Sequence, residues 1–320
     1  MRTSQSRKTI LNEWSANKKL RTWGDNFRFA RDWGKTVAFC KLITVESIRM
    51  TPSFHRPGPP LNTFVECFWY FPAYVVEHQR ERALPTGTIE LVVNLGEGRM
   101  RIFKDDQDVV GQHFDHSVVC GPHSRYFVLD TSRSAPAVGI HFRPGGATPF
   151  FNLPADELTD RHIALEDLWG PWAHEVHDRL TQASSPEHMF WLLEHVLLSR
   201  LRKPHLLHPA VAYAVRTLTA FPDVARILQV QNETGYAAKR FIELFSGSVG
   251  LTPKVYSRIQ RFQAVINHVA RGDQVDWAGV ALDGGYYDQS HLNREFRAFS
   301  GITPALYQPV AKHRPSHVAV

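Results

Sequence analysis

Between Phe64 and Phe142 the apolar residues come in short β-branched and aromatic runs: FVECFWYF, TIELVVNLG, MRIFKD, SVVCGP, RYFVLDT and AVGIHFRPGG. Gly, Pro, Asp or Asn separates them, and no helical period intervenes, which predicts strands of a sandwich or small barrel. From residue 154 the period lengthens. PWAHEVHDRLTQA and PEHMFWLLEHVLLSRLRK read as two amphipathic helices, the second opened by Pro186 near its first turn. Phe190, Leu193, Val196, Leu197 and Leu201 make an apolar stripe, read as intramolecular core in preference to a dimer interface. Pro204 to Pro209 reads as a hinge, and HPAVAYAVRTLTAF as a helix that packs beneath the first helix-turn-helix of the C-terminal region.

The pattern is sharpest from Asp276 to Pro304. Trp277, Val280, Ala281 and Leu282 give one short apolar face, and Asp283-Gly284-Gly285 stops that helix. Asp288 then sits as an N-cap, and Leu292, Phe296 and Phe299 fall at helical spacing on an inward face. Gln289, Ser290, Asn293, Arg294 and Arg297 occupy the opposite face. This is a helix-turn-helix whose outer face carries groups able to bond base edges and phosphates.

A shift of 51 residues overlays this segment on an earlier one. Phe241 falls on Leu292, Phe245 on Phe296, Gly250 on Gly301, Thr252-Pro253 on Thr303-Pro304 and Tyr256 on Tyr307. Two copies of one supersecondary unit are expected, joined by a helix from Val255 to about Ala270. Their recognition helices would enter successive major grooves roughly 34 Å apart. In the first copy Val224, Ile227 and Leu228 begin the scaffold helix, Thr234-Gly235-Tyr236 makes the turn, and Phe241, Leu244 and Phe245 face inward.

YYDQSHLNREFRAFSGITPALY closely resembles the signature of AraC/XylS-type transcription regulators, and KRFIELFSGSVGLTPKVYSRIQRFQ resembles the first half of the same module. The resemblance covers about the last 110 residues. It implies a bipartite reader of double-stranded DNA, RNA polymerase as a partner, and a preceding cupin-type β-barrel that binds an effector. A homodimer is compatible with it. By analogy with the family, Lys239, Arg240, Ile242 and Glu243 lie at or near groove-facing positions of the first unit. Ala237 stands where the family often has a capping Ser. Glu243 is repelled by phosphates but suits a cytosine N4, whereas Arg294 suits guanine, and Gln289 and Asn293 suit adenine.

The fold class expected is therefore α+β and multidomain: a β-sandwich or cupin-like barrel, then an all-α double helix-turn-helix. The divisions are 1–49, a basic extension expected to be disordered; 50–153, a β-rich sensor; 154–204, a helical connector; 205–310, the DNA reader; and 311–320, a tail.

Composition changes this picture little. The 320 residues have a pI of about 9.3, but residues 1–49 hold 11 Lys/Arg against 4 Asp/Glu, so much of the basic excess lies ahead of the reader. Residues 209–320 carry 12 against 8, compatible with phosphate binding if the cations share one face. No run approaches a membrane span and no leader pattern opens the chain, so a cytoplasmic protein is expected. Cys40, Cys67 and Cys120, odd and widely spaced, exclude a disulfide framework or a CxxC zinc site.

Enzyme chemistry finds little support. A catalytic cupin needs an HxH pair, and His113-Phe114-Asp115-His116 has the wrong spacing for one strand face. His174-Glu175-Val176-His177 is HExH rather than HExxH. No catalytic residue, metal ligand or cofactor is assigned. A DNA-repair methyltransferase fused to the same reader would need an activated or zinc-bound Cys. A small organic effector is expected to meet Glu90, Asn94, His141 and Arg143, which interrupt apolar strands.

Overall fold

The computed structural model describes residues 52–73, 78–133, 135–201, 207–271, 275–311 and 314–320. The basic extension 1–49, and residues 204–206 of the expected hinge, lie outside the described residues.

The β-rich part forms two antiparallel sheets. The first holds β1 (Ser53–His55), β2 (Val65–Phe71), β4 (Glu90–Asn94), β7 (Ser117–Cys120), β9 (Ala137–Phe142) and β10 (His162–Ala164), in the order β1-β2-β9-β4-β7-β10. The second holds β3 (Arg80–Ala83), β5 (Met100–Phe103), β6 (Gln112–Phe114), β8 (Phe127–Asp130) and β11 (His317–Ala319), in the order β11-β3-β8-β5-β6. Ile102 and Phe114 from one sheet meet Val118 from the other in a small shared core, so the sheets face each other. The N-terminal β-rich, C-terminal helical division is the one that the pattern predicts.

Alternation decides which side of the first sheet is covered. Leu91 and Val93 of β4 point away from the second sheet, into a large core with Phe68, Ile140 and Phe142. The other side of that core comes from α1 (Thr148–Phe151), α2 (Leu165–Trp169), α3 (Trp172–Thr181) and α4 (Pro186–Arg200). The stripe of Phe190, Leu193, Val196 and Leu197 is buried there, with Leu201 packed at its margin, so it is intramolecular core. The connector and the sheet share one interior, and β10 extends the sheet past residue 153.

The C-terminal helices are α5 (Pro209–Ala220), α6 (Ile227–Thr234), α7 (Ala238–Val249), α8 (Pro253–Val269), α9 (Trp277–Asp283) and α10 (Gln289–Ser300). The joining helix α8 thus spans nearly the predicted range. Phe241, Phe245, Leu292, Phe296 and Phe299 are all buried in one core around Tyr256, Ile259 and Phe262. Three sequence expectations change at the margins. Val224 precedes α6 and is exposed, as is Leu228 on it, because α5 and α7 meet α6 through Val230. Leu282 is also exposed, leaving Val280 and Ala281 as the buried face of α9.

Of residues 311–320, expected to be a tail, the described residues 314–320 return to the β-rich part. His317, Val318 and Ala319 pair with Ala83, Arg82 and Glu81. Without β11, β3 would be an edge strand with unpaired backbone groups. Glu81 is fully buried beneath this strand. It meets Arg314 Nη2 at 3.0 Å, His317 Nδ1 at 3.3 Å and His78 Nε2 at 2.8 Å. Val318 also enters the helical core, together with Leu84.

Candidate nucleic-acid interface and its seat

The recognition helices α7 and α10 are both twelve residues long, begin 51 residues apart, and end on left-handed glycines, Gly250 (φ 89°) and Gly301 (φ 75°). Their first turns differ. Asp288 caps α10 by accepting the His291 N–H at 2.7 Å. Ala237 at the head of α7 has an extended backbone but no side-chain cap.

With the aromatic faces inside, the remaining side chains face solvent. Lys239, Arg240, Ile242 and Glu243 on α7, and Gln289, Ser290, Arg294 and Arg297 on α10, are exposed; Asn293 is half-buried. The two faces differ electrically. Arg240 lies 3.5 Å from Glu243, so part of the charge of α7 is neutralised locally. On α10, Glu295 is turned inward onto Arg258 of α8 through two bonds of 2.7 and 2.8 Å. Arg294 and Arg297 have no ion-pair partner among the described residues.

The β-rich part seats these helices at three places. Gln260 and Gln263 of α8 donate to the Thr86 and Pro85 carbonyls at 3.1 and 2.7 Å. The end of α7 rests on Pro122 and the short turn Ala155–Leu158: a Cβ at Gly250 would lie 2.3 Å from Pro122 Cγ, and Thr159 Oγ1 donates to the Gly250 carbonyl. The end of α10 rests on Tyr126, whose N–H donates to the Phe299 carbonyl at 2.9 Å. Tyr126 OH donates to Asp106, which Arg82 grips bidentately. Sequence reasoning missed this seat, since Pro122 and Tyr126 carry no motif.

Of the four expected effector residues, Glu90, His141 and Arg143 share one charged neighbourhood with Glu66, and Asn94 is engaged apart from them. Glu90 and His141 do pair, on the side of their strands facing the second sheet, with Oε1 to Nδ1 at 2.5 Å. Burial alone would raise the Glu90 pKa, but the His141 hydrogen bond and charge outweigh it and lower it; the same contact raises the His141 pKa against burial. Asn94 is buried and spends its amide on the Gly96 and Gly98 carbonyls of a turn. Arg143 bonds Glu66 at 2.6 Å and the Asn62 carbonyl at 2.8 Å, at the exposed end of β9.

Burial, together with Glu90 and Glu66, pushes the Cys67 thiol up to about 12; burial and Glu90 likewise raise that of Cys120. Neither is an activated thiolate. Cys40 lies outside the described residues. His116 packs against His177 and His174 with ring centroids 4.3 and 5.5 Å apart. No group of three or more His, Cys, Asp or Glu has metal-holding geometry among the described residues. No described helix is long and apolar enough to cross a membrane.

Residues 230–309 match the family model of a helix-turn-helix domain, and residues 53–164 that of a domain of unknown function (DUF6597). Curated proteins give no match. Among solved structures, ToxT from Vibrio cholerae (P21 form) is 11% identical with a TM-score of 0.43, covering 75% of this chain and 97% of its own. ToxT bound to (E)-4-(8-methylnaphthalen-1-yl)but-3-enoic acid is 13% identical with a TM-score of 0.42, over 75% and 97%. Unsaturated fatty acid-bound ToxT is 11% identical with a TM-score of 0.41, over 75% and 94%.

Proposed function

We propose that this chain, whose C-terminal region is an AraC-type helix-turn-helix domain, is a sequence-specific transcription regulator controlled through its β-rich part. The observation carrying this reading is the pairing of α7 and α10, equal in length and in their left-handed C-terminal glycines, with aromatic faces buried and polar faces exposed. A core built identically twice leaves two outward faces as the variable surface, which is how a bipartite reader of two successive major grooves is made. Lys239, Arg240, Ile242 and Glu243 contact the first groove, and Gln289, Ser290, Asn293, Arg294 and Arg297 the second. Arg294 reads a base and Arg297 holds a phosphate, because both cations are exposed on one helix face with no ion-pair partner among the described residues. RNA polymerase in the cytoplasm is the partner that the AraC-type resemblance implies.

Control follows from the seat. Because Pro122 and Tyr126 touch the ends of both recognition helices, a change in the 121–127 segment alters how the two are held, and so the operator affinity. Selection of bound sequences from a random duplex pool by the full chain tests the reading. The expected result is a bipartite consensus with half-sites about one helical turn apart. A pool returned without sequence enrichment sinks it.

A further inference from the structure

The two recognition helices share one core but are held to it differently. At the position 51 residues before Glu295 stands Leu244, which packs α7 against that core through apolar contact. Glu295 instead turns its carboxylate inward, where Arg258 of α8 donates from Nε and Nη2 to its two oxygens at 2.7 and 2.8 Å. The pair is largely withdrawn from solvent, and the Arg258 guanidinium lies over the Phe299 ring at 5.1 Å, so α10 braces it from a second side. One turn further along α8, Arg261 donates from Nη1 to the Gly285 carbonyl at 3.1 Å and stands 5.4 Å from the Tyr286 ring, in the turn that leads into α10. Two arginines on one side of α8 thus hold the second helix-turn-helix at its turn and at the middle of its recognition helix.

An apolar stripe fixes which side of a helix faces inward, but apolar contact is non-directional and does not by itself fix the last degrees of roll. A bidentate guanidinium–carboxylate pair is directional and does. The difference matters at the helix surface. A roll of about 20° carries a side chain at a radius of about 5–6 Å through about 2 Å, enough to break a hydrogen bond to a base edge. Arg294 is the immediate neighbour of Glu295, so any roll that Glu295 allows is passed to it in full.

We propose that Arg258 is a positioning residue for DNA reading: through Glu295 it fixes the roll of α10, and with it the base that Arg294 meets. Arg258 itself does not contact DNA. The proposal rests on the regulator reading and makes the two half-sites unequal, the second depending on an ion pair and the first on apolar packing.

The test uses the full chain carrying Arg258→Met, Arg258→Lys, or Arg258→Met together with Glu295→Met. The double variant exchanges the pair for apolar side chains, which is often neutral for stability, whereas Arg258→Met alone leaves a carboxylate without its partner. Residual dipolar couplings of the α8 and α10 amides, recorded without DNA, report the roll. Those of α10 are expected to depart from wild-type values in both Met variants while those of α8 do not. Arg258→Lys, which keeps the charge but loses the fork, is expected to fall between. Unchanged α10 couplings overturn the proposal, as does an equal change in α8 and α10, which is general loosening. Selection from the random duplex pool reads the consequence. In the double variant, preference at the second half-site is expected to fall about tenfold, and that at the first to stay within about twofold. Equal relaxation at both half-sites overturns the proposal. A wild-type chain that enriches no sequence counts against the regulator reading, and the couplings then decide on their own whether Arg258 sets the roll of α10.

Discussion

Tyr126 lies directly beneath Gly301. A Cβ at that glycine would sit 2.7 Å from the tyrosine ring, and its φ of 75° is one that side chains disfavour. Gly301→Ala therefore meets two costs: the left-handed cap, and displacement of the ring that seats α10. The expected loss is about 1–3 kcal/mol of stability, with weaker operator binding. Because only the second cost depends on Tyr126, the Gly301→Ala, Tyr126→Ala double variant should recover part of it. Thermal melts in a double-mutant cycle measure the coupling; strictly additive losses would mean that ring and cap do not communicate.

Glu81 ties the last strand to the β-rich part, and its titration gives that tie a pH dependence. Burial pushes its pKa up, but the His317 hydrogen bond, Arg314 and His78 outweigh it and hold it at about 2. A folded-state pKa below the unfolded value of roughly 4.3 contributes stability that is present above the unfolded value and lost as pH falls through the folded one. Glu81→Gln is expected to destabilise the chain at pH 7 by on the order of 2 kcal/mol, leaving Arg314 without its counter-charge and His317 without its carboxylate acceptor. Urea melts between pH 7 and pH 2 should show the gap between wild type and variant closing below about pH 4. A constant gap would assign the loss to packing.

This contact also shows what the sequence withholds. β2, β4 and β9 were legible because each lies in a short run of apolar, β-branched or aromatic residues bounded by turn formers. In β3, Arg80-Glu81-Arg82-Ala83 shows no apolar alternation, and its inward acid is satisfied by His78 nearby and by Arg314 and His317 more than 230 positions away. The helix-turn-helix pair was legible because its frame occurs twice, so Phe245 and Phe296 vouch for each other. The seat was not: Pro122 and Tyr126 matter through what they touch. Nor was the pairing of Arg258 with Glu295, 37 positions apart, which only the packing of α8 against α10 brings together.

The two recognition helices give an internal comparison of capping. Ala237→Asp supplies α7 with the side-chain acceptor that Asp288 gives α10, at a backbone already extended. A gain of about 0.5–1 kcal/mol is expected, and a loss of similar size for Asp288→Ala. Equilibrium unfolding of both variants measures it. If Ala237→Asp does not stabilise, the α7 head groups are already satisfied by solvent.

Arg294 and Arg297 separate base reading from phosphate holding within one helix. They lie three residues apart on the exposed side of α10, opposite the buried Leu292 and Phe296, and neither is held by a carboxylate among the described residues. A guanidinium near the first turn of a recognition helix reaches base edges, while one further along reaches the backbone. Arg294→Ala should thus cost about 1–3 kcal/mol of operator affinity, concentrated at one base pair, with relaxed preference there. Arg297→Ala should weaken all sequences alike and reduce the salt dependence of binding by about one phosphate contact. Selections and salt titrations with both variants decide the matter. An unchanged preference in Arg294→Ala removes it as a reader, and an unchanged salt slope in Arg297→Ala removes it as a phosphate contact.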